Sequence, residues 1–311
     1  MDLKNQTVVT EFWFVGFQNV PYLKIPLFIL FLVIYISILS GNLLIILLVS
    51  VGHNLSSPMY YFLANLSLSD IIFTTMIIPN ILSMLLKQRE RITFMGCITQ
   101  LHFFGSSVVS QSFILTVMSY DRYLAISNPL RYITIMNGKL CIQLVTGSWL
   151  LACLFTMSIA IQLSQLQFCG NNVIDHFFCD TVPLTKLSCS DISSIKLQEL
   201  ILGGPVTFFP MAFVVGTYVC IFITILKIST TTGRQKAFFT CSSHLTVVCI
   251  YYGTQIALYM VPENNGLNNV TKVQTLLYIT LTPLLNPIIY SLRNNEMRVA
   301  FTKLFGVGQK W

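Results

Sequence analysis

Charged side chains are scarce in this chain, so those inside apolar segments are the first candidates for chemistry. Asp121 and Arg122 follow the apolar stretch FILTVM and open the motif SYDRYLAISNPLRY. Another carboxylate, Asp70, lies within the apolar stretch NLSLSDIIF. A buried carboxylate needs a cation or hydrogen-bond donors beside it. The chemistry that these residues indicate is therefore ion pairing and hydrogen bonding.

Catalytic motifs are missing from the sequence. It contains no HExxH, GxSxG or P-loop pattern, and its histidines are His53, His102, His176 and His244. His176 and Cys179 form an H-x-x-C pair, which raises a zinc alternative. The wide intervals between Cys169, Cys179 and Cys189 differ from the closely spaced ligand pairs of zinc sites. We predict that the protein is not an enzyme and holds no metal and no cofactor.

The composition predicts an integral membrane protein. Hydrophobic residues make up 54% of the chain and charged residues only 9%, whereas soluble domains have about 25% charged residues. The first twenty residues lack the pattern of a cleavable signal peptide, so the first apolar run should act as the insertion signal. Nucleic acid is not an expected partner, because the basic residues lie at span ends.

Seven apolar runs are each long enough to cross a bilayer as a helix, which takes about 20 residues. The predicted spans are Leu23–Val51, Met59–Leu86, Cys97–Tyr120, Leu140–Ser164, Leu197–Ile228, Phe238–Val261 and Val270–Leu292. We therefore predict an all-α membrane protein with a seven-helix bundle. Residues 1–22 form the N-terminal segment, residues 23–292 the membrane domain, and residues 293–311 an amphipathic helix and tail.

The N-terminus is predicted to be extracellular and the C-terminus cytoplasmic. In this orientation ten of the 18 Lys and Arg residues lie inside and eight outside, in the direction of the positive-inside rule. The Asn5-Gln6-Thr7 sequon agrees, because glycosylation occurs on the lumenal side. A basic inner face suits anionic lipid or an acidic protein partner.

Four of the nine cysteines fall on the predicted exterior, where an oxidising compartment favours two disulfides. They are Cys97, Cys169, Cys179 and Cys189, which allow three pairings. Cys97 opens the third span, so we expect one bridge from it to the long loop between spans four and five. The other five cysteines are expected to be packing residues.

Polar residues inside the spans should face the bundle interior. Asn42, Asp70, Gln111 and Asn286 form this set, with Asn42 and Asn286 as candidate partners of Asp70. Steps of three and four residues along span three place Cys97, Gln111 and Arg122 on one face. Two interpretations stay open: a static network that joins helices, or a mobile one that rearranges on activation or holds an ion.

Five stretches, in order, resemble the vertebrate odorant receptors, which are rhodopsin-like G-protein-coupled receptors. They are Gly41-Asn42, PMYYFLANLSLSD at 58–70, SYDRYLAISNPLRY at 119–132, KAFFTCSSHL at 236–245 and PLLNPIIYSLRN at 283–294. The long loop, with FCGNNVIDHFFCD and KLSCSD, is also similar to the loop of that family. The resemblance covers nearly the whole chain.

The resemblance implies roles for individual residues. The activation switch and G-protein contact would comprise Asp121, Arg122, Tyr123, Tyr218, His244, Asn286, Pro287 and Tyr290. The disulfides would be Cys97–Cys179 and Cys169–Cys189. The segment after Arg293 resembles an amphipathic helix on the inner leaflet, with Val299, Phe301, Leu304 and Phe305 buried there. Pro210, Pro283 and Pro287 should bend their helices.

Two positions depart from the family's pattern. Gln111 stands where the family usually has glutamate, and Ser127 stands where it commonly has cysteine. The loss of a carboxylate next to Asp70 puts a strong sodium site in doubt. We expect little effect from Ser127.

The ligand site is expected at the upper inner faces of spans three, five and six, as a mostly hydrophobic cavity. The candidate residues are Phe104, Gly105, Val108, Leu202, Val206, Tyr252, Gln255, Ile256, Tyr259 and Ile279. They include amide and hydroxyl groups but no charge, so the expected ligand is a small neutral odorant. Signalling would pass through a stimulatory, olfactory-type G protein to cAMP.

Two other functions remain as alternatives. A chemosensory receptor of the same fold in another tissue would have the same sequence features. A transporter would show inverted repeats and paired broken helices, which the sequence does not contain.

Overall fold

A computed structural model describes residues 9–17, 21–52, 55, 57–87, 89–169, 172–259, 268–293 and 295–305. The predicted glycosylation site Asn5 and the side chain of Tyr259 lie outside the described residues. The described part of the chain contains eleven α-helices and three short strands. It is therefore mainly helical, as the sequence predicts.

Seven helices are long. They are α1 (Lys24–Val51), α2 (Pro58–Lys87), α3 (Phe94–Ser127), α5 (Gly138–Ser164), α8 (Gly204–Leu226), α9 (Thr231–Tyr259) and α10 (Asn268–Arg293). Four helices are short: α4 (Pro129–Ile135), α6 (Thr181–Leu187), α7 (Ser193–Gln198) and α11 (Asn295–Phe305). A π-helical turn at Glu199–Gly203 joins α7 to α8, and a 3₁₀ turn at Pro21–Leu23 precedes α1.

Six of the described helical segments are long and apolar enough to cross a membrane by length and composition. They are Lys24–Val51, Pro58–Lys87, Phe94–Ser127, Gly138–Ser164, Ser193–Leu226 and Val270–Ser291. They correspond to the predicted spans one to five and seven. Helix α9 contains most of predicted span six and, with 29 residues, is about 43 Å long. Its polar sequence TCSSHLT lowers its hydropathy.

Helix α3 is longer than the span predicted from hydropathy. It continues seven residues beyond Tyr120 to Ser127, so the Asp121–Arg122–Tyr123 triplet lies within the helix. Pro129 begins α4, and a proline disfavours helical backbone at the residue before it. The helix therefore ends where the proline requires it, and not where the apolar run stops.

The described residues group into two compact units. The first comprises Met1–Ile36, Ile72–Val108 and Leu150–Val206, and the second comprises Ser37–Ile71, Val109–Trp149 and Thr207–Trp311. The chain passes between the units within α1, α2, α3, α5 and α8. Each unit has its own hydrogen-bond network.

A three-stranded sheet in the first unit has no counterpart in the sequence predictions. The central strand β1 (Glu11–Phe14) pairs antiparallel with β2 (Glu90–Thr93) and parallel with β3 (Val173–Ile174). In β1, Phe12 and Phe14 are fully buried, and Glu11 is half-exposed. The aromatic residues of EFWF suit a strand, but four residues are too few for their alternation to predict one.

Aromatic rings and two disulfides hold this sheet on the first unit. The Phe12 ring centroid lies 5.3 Å from that of Phe168, at the start of the long loop, and 6.3 Å from that of Phe94 on α3. Cys97 is bonded to Cys179, and Cys169 is bonded to Cys189. These are the pairs that the resemblance implies. Because all four sulfurs are in disulfides, none is a thiolate for the zinc alternative.

Gln100 links three parts of the first unit. Its amide nitrogen donates to the Met76 carbonyl at 2.6 Å, and its amide oxygen accepts from the Cys179 backbone N–H at 2.9 Å. Met76 lies in the turn that precedes Pro79, where a proline interrupts the helical hydrogen bonds of α2. Gln100 therefore joins the turn of α2 before Pro79 to the disulfide-bonded loop.

The core of the second unit contains buried residues of α1, α2, α3, α5, α8, α9, α10 and α11. At Gly41, an added Cβ would lie 3.0 Å from the Pro287 ring, so α1 and α10 approach closely there. On α11, Met297 and Ala300 are buried, and the Glu296 carboxylate accepts from the Tyr60 hydroxyl at 2.7 Å. Val299, Phe301 and Leu304 remain exposed, which fits burial in a leaflet.

The strand β1 gives the first testable prediction. Replacing fully buried Phe12 by alanine removes an aromatic side chain from the core of the sheet and should cost about 3–5 kcal/mol. We expect a clear fall in the melting temperature of the purified protein and in its amount at the cell surface.

Arg91→Ala is the matched control. It removes the exposed ion pair between Arg91 and Glu11 on the same sheet, which should change stability by no more than about 1 kcal/mol. Equal melting temperatures for the Phe12→Ala and Arg91→Ala variants would show that the sheet does not stabilise the unit.

Candidate functional site

The Asp70 carboxylate is the centre of a polar network in the second unit. Asp70 is fully buried in α2, and each of its oxygens accepts from a side-chain amide. The amide nitrogen of Gln111, on α3, lies 3.1 Å from Oδ1. The amide nitrogen of Asn286, on α10, lies 2.8 Å from Oδ2. The sequence predicts this grouping, and the network joins three helices.

Asn42 was expected to be a partner of Asp70, but it is hydrogen-bonded to backbone carbonyls instead. Its amide nitrogen donates to the Ile38 carbonyl at 3.0 Å and to the Pro283 carbonyl at 3.1 Å. Both amide hydrogens are then used, so Asn42 is not a donor to Asp70. Instead it ties α1 to the proline-containing part of α10.

The Asp121–Arg122 pair lies near the end of α3. Both oxygens of the Asp121 carboxylate accept hydrogen bonds. Arg122 donates from Nε to Asp121 Oδ2 at 2.9 Å, and its terminal nitrogen donates to the same oxygen. The Tyr132 hydroxyl, on α4, donates to Asp121 Oδ1 at 2.8 Å. Burial and the Asp121 charge raise the pKa of the Tyr132 hydroxyl, so it keeps its proton. Asp121 is fully buried and Arg122 nearly so.

Tyr218 and His244 form a second contact between helices of this unit. The Tyr218 hydroxyl on α8 lies 2.7 Å from His244 Nδ1 on α9, and the two rings are stacked. His244 Nε2 lies 3.1 Å from the Leu115 carbonyl on α3. Since a carbonyl only accepts, Nε2 carries the hydrogen of the bond to Leu115. The Tyr218 hydroxyl also donates to the Cys241 carbonyl at 3.2 Å, so it contacts two groups of α9.

Tyr290, at the end of the NPIIY sequence, has no hydrogen-bond partner for its buried hydroxyl among the described residues. Tyr218, another residue of the proposed switch, is bonded to His244. The other two residues of the proposed switch differ in setting. Pro287 packs against the position of Gly41, and Tyr123 packs at the edge of the core.

Five of the ten candidate ligand residues lie in the first unit. Phe104 stacks on Phe73 with ring centroids 5.4 Å apart and lies 4.8 Å from Phe178 of the long loop. At Gly105, an added Cβ would lie 3.0 Å from Thr156, so only glycine fits without a shift. Val108 and Val206 are half-buried, whereas Leu202 is 45% exposed on the outer surface of this unit.

The other five candidate ligand residues belong to the second unit. The Tyr252 hydroxyl lies 3.0 Å from Ser112 Oγ, and the Gln255 amide donates to the Tyr278 hydroxyl at 3.4 Å. Ile279 is fully buried, and Ile256 is 44% exposed. The side chain of Tyr259 is outside the described residues.

Several contacting residues were missed by the sequence reasoning. Tyr132 is the last residue of the motif that contains Asp121. Pro129 interrupts the helix between them, so helical spacing did not predict that the two side chains are in contact. Gln100 lies three residues after Cys97, on the same helix face, and this spacing was a usable signal. The contacts of Ser112 and Tyr278 could not be predicted from the sequence, because serine and tyrosine in a span need not be part of a site.

Comparison with known proteins decides the family. The profile of the olfactory receptor family matches residues 31–307. The chain belongs to the olfactory receptor family. Human olfactory receptor 5G3 is 44% identical over 303 residues, which cover 97% of this chain and 96% of the relative.

Two further relatives agree with this assignment. Human olfactory receptor 10A7 is 45% identical over 300 residues, covering 96% of this chain and 95% of its own. Rat olfactory receptor 1f45 is 41% identical over 307 residues, covering 99% and 98%. This olfactory receptor is thus a multi-pass membrane protein with the seven-transmembrane fold of a non-enzymatic receptor family. Six of the seven spans that the family implies match the apolar segments, and α9 is the remaining long helix of the described residues.

The Asp70 network gives a prediction about sodium. In the unsubstituted receptor, the Gln111 and Asn286 amides donate hydrogen bonds to the two oxygens of the Asp70 carboxylate. The partial positive charge of these amide hydrogens disfavours binding of a cation at the same oxygens. We expect the melting temperature to stay unchanged when sodium replaces potassium. Gln111→Glu places a second carboxylate beside Asp70, and sodium should then stabilise the variant, by about 1.4 kcal/mol at ten times its Kd.

The double variant Gln111→Glu with Asp70→Asn is the control, because it has one carboxylate again and should lose the sodium effect. A sodium-dependent melting temperature for the unsubstituted receptor would show that the two amides do not exclude the ion.

Proposed function

We propose that this olfactory receptor detects a small, mostly apolar, neutral odorant and couples to a stimulatory, olfactory-type G protein that raises cAMP. The receptor would lie in the plasma membrane with its N-terminus, including the Asn5 sequon, outside. The observation that carries this proposal is the match to the olfactory receptor family over residues 31–307. An odorant ligand and G-protein coupling follow from the family in general terms, and the finer statements rest on the arguments below.

The character of the ligand is supported by the candidate residues of each unit taken separately. In the first unit, Phe104 contacts other aromatic rings, and in the second unit Tyr252 and Gln255 contribute hydroxyl and amide groups. The candidate ligand set contains no Asp, Glu, Lys or Arg. A charged ligand would lose its hydration without gaining an opposite charge. A neutral ligand with one or two polar atoms is therefore favoured.

The coupling mechanism is supported by the state of Arg122. The guanidinium is held by Asp121, and Asp121 is in turn held by Tyr132. In this arrangement the arginine is not free for a partner, as expected for a resting receptor. An odorant that binds the active state more tightly shifts the population toward it. The G protein selects the same state, so the two sites are reciprocally coupled.

A cell-based cAMP assay against a broad panel of volatile compounds tests the proposal, with Arg122→Ala as the key variant. We expect neutral volatiles to raise cAMP in the unsubstituted receptor and no response in Arg122→Ala, at similar surface expression. Arg91→Ala is the control, since it also removes an arginine from a carboxylate pair but lies in the extracellular sheet. It should respond normally.

Several outcomes would revise the proposal. A normal cAMP response of Arg122→Ala would remove this residue from the coupling mechanism. Activation only by charged amines or carboxylates would overturn the neutral ligand. Ligand flux without cAMP would support the transporter alternative, and activation only by non-volatile compounds would support a chemosensory role outside olfaction.

Tyr132 provides a separate prediction about basal activity. Tyr132→Phe removes the hydroxyl that donates to Asp121, which should weaken the resting state by about 1 kcal/mol. A shift of this size changes the population of the active state about fivefold. We expect ligand-independent cAMP to rise by about that factor.

Tyr35→Phe serves as the control for Tyr132→Phe, because the Tyr35 hydroxyl donates to Thr75 in the first unit, whereas the charged pair belongs to the second unit. Its basal cAMP should equal that of the unsubstituted receptor. Unchanged basal activity in Tyr132→Phe would show that the tyrosine does not restrain Arg122.

A further inference from the structure

Gln100, on α3, is almost fully buried and uses both ends of its side-chain amide. The nitrogen donates to the Met76 carbonyl on α2 at 2.6 Å, and the oxygen accepts from the Cys179 backbone N–H of the long loop at 2.9 Å. A carbonyl only accepts and a backbone N–H only donates, so these partners require a donor at one atom and an acceptor at another. A neutral amide meets both requirements, whereas an apolar side chain of similar length meets neither.

Three phenylalanines on the same three elements form an aromatic cluster: Phe73 on α2, Phe104 on α3 and Phe178 of the long loop. The ring centroid of Phe104 lies 5.4 Å from that of Phe73 and 4.8 Å from that of Phe178. Phe73 and Phe178 are buried. Each phenylalanine lies within four residues of the residue by which its own element takes part in the Gln100 hydrogen bonds. The hydrogen bonds and the ring contacts therefore join the same three elements of the first unit.

The Phe178 ring is held through its own peptide bond to Cys179. The Cys179 N–H that donates to Gln100 is part of this peptide group. A peptide group is planar and includes the Cα atoms on both sides, so a hydrogen bond to its N–H also orients the Cα of Phe178. The disulfide to α3 holds only the Cys179 sulfur, which is separated from the peptide group by bonds that rotate. Gln100 therefore supplies an orientation that the disulfide alone does not.

Phe104 is the ring of this cluster that belongs to the candidate ligand residues. It is half-buried although two other rings pack against it, so part of its surface stays accessible. Gly105 and Val108, the next residue and the next turn of α3, are also half-buried ligand candidates. A ring that neighbours hold on two sides has a fixed orientation. A fixed contact surface raises affinity, because less ordering is needed when the ligand binds.

We propose that Gln100 is a positioning residue for the odorant: it holds the peptide group between Phe178 and Cys179, and thereby keeps Phe178 against Phe104 as one wall of the odorant site. Without these hydrogen bonds, the loop segment occupies other positions for part of the time. The apparent affinity for the odorant then falls with the fraction of receptors in which the wall is in place. This role of Gln100 rests on the proposed function, because Phe104 acts here as a residue of the odorant site. Gln100 itself acts through the loop and not by contact with the odorant.

Dose–response curves in the cell-based cAMP assay, normalised to the amount of receptor at the cell surface, test this role. The probes are medium-chain aliphatic alcohols, ketones and esters, of which the most potent for the unsubstituted receptor is used. Gln100→Met removes both hydrogen bonds at similar side-chain size. We expect its half-maximal concentration to rise about fivefold, the effect of losing the hydrogen bond that orients the peptide group. The maximal response should stay unchanged, because Arg122 and its partners belong to the second unit.

A double-mutant cycle shows whether Gln100 acts through Phe178. Phe178→Leu removes the ring that packs against Phe104, and this variant alone should raise the half-maximal concentration. Adding Gln100→Met to Phe178→Leu should then have no further effect, because no ring remains to be positioned. Two independent effects would multiply instead, which is the result expected if Gln100 only stabilised the fold.

Asn172→Ala is the matched control. The Asn172 side-chain amide donates to the Glu11 carbonyl at 2.8 Å, so this variant removes a hydrogen bond of the same loop at a point six residues before Phe178. Its half-maximal concentration should equal that of the unsubstituted receptor. Gln100→Asn tests the role if Gln100→Met does not reach the cell surface. It keeps a neutral amide but is too short to span both partners, so its half-maximal concentration should also rise.

Three results would overturn the role of Gln100 and leave the proposed function intact. The first is an unchanged half-maximal concentration for the Gln100 variants that reach the cell surface. The second is an equal rise in Asn172→Ala, which would assign the effect to the loop as a whole. The third is multiplication of the two effects in the cycle with Phe178→Leu. A receptor that responds to no neutral volatile compound would instead contradict the proposed function, and with it the odorant site at Phe104.

Discussion

The burial of Asp70 in an apolar helix is the constraint on which the second unit depends. A charged aspartate at the centre of a spanning helix costs about 2.5–3.5 kcal/mol on insertion scales, and each unmet lone pair adds to that cost. The receptor meets it with two amides, from Gln111 on α3 and Asn286 on α10. Asn286 immediately precedes Pro287, whose ring lies against Gly41. The hydrogen bonds of one carboxylate therefore constrain the rotation of α2, α3 and α10. The neighbouring Pro287 then lies at the close contact between α1 and α10.

Much of this architecture could be predicted from the sequence because a segment that crosses a bilayer must meet two requirements. It must contain enough consecutive apolar residues, and its polar groups must be hydrogen-bonded within the protein. Spans of about 20 apolar residues gave the positions of the long helices to within several residues. The cost of polar groups in lipid correctly brought Asp70, Gln111 and Asn286 together. The face of α3 that carries Cys97, Gln111 and Arg122 was also predicted, since Cys97 and Gln111 are buried and only 13% of the Arg122 side chain is exposed. In each case one energetic term dominates the others.

The remaining features depend on contacts between residues that are far apart in sequence, where no single term dominates. The partner of Asn42 was expected to be Asp70, but proline-containing α10 offers a carbonyl that it bonds instead. The end of α3 depends on Pro129 rather than on hydropathy. The strands are only two to four residues long, below the length at which alternation is informative. Tyr132 lies eleven residues from Asp121, beyond a break in the helix, so helical spacing could not pair them.

The order of the strands has a consequence for biosynthesis. Strand β1 leaves the ribosome first, yet it is the middle strand, and its neighbours β2 and β3 are made about 80 and 160 residues later. Until residue 174 has been synthesised, the rings of Phe12 and Phe14, which are fully buried in the folded receptor, have no complete sheet to cover them. Contacts between distant residues form slowly, and exposed strand edges favour aggregation. The first strand to be made is therefore completed only when its last partner has been made. During that interval its apolar rings are available to a chaperone that binds apolar segments.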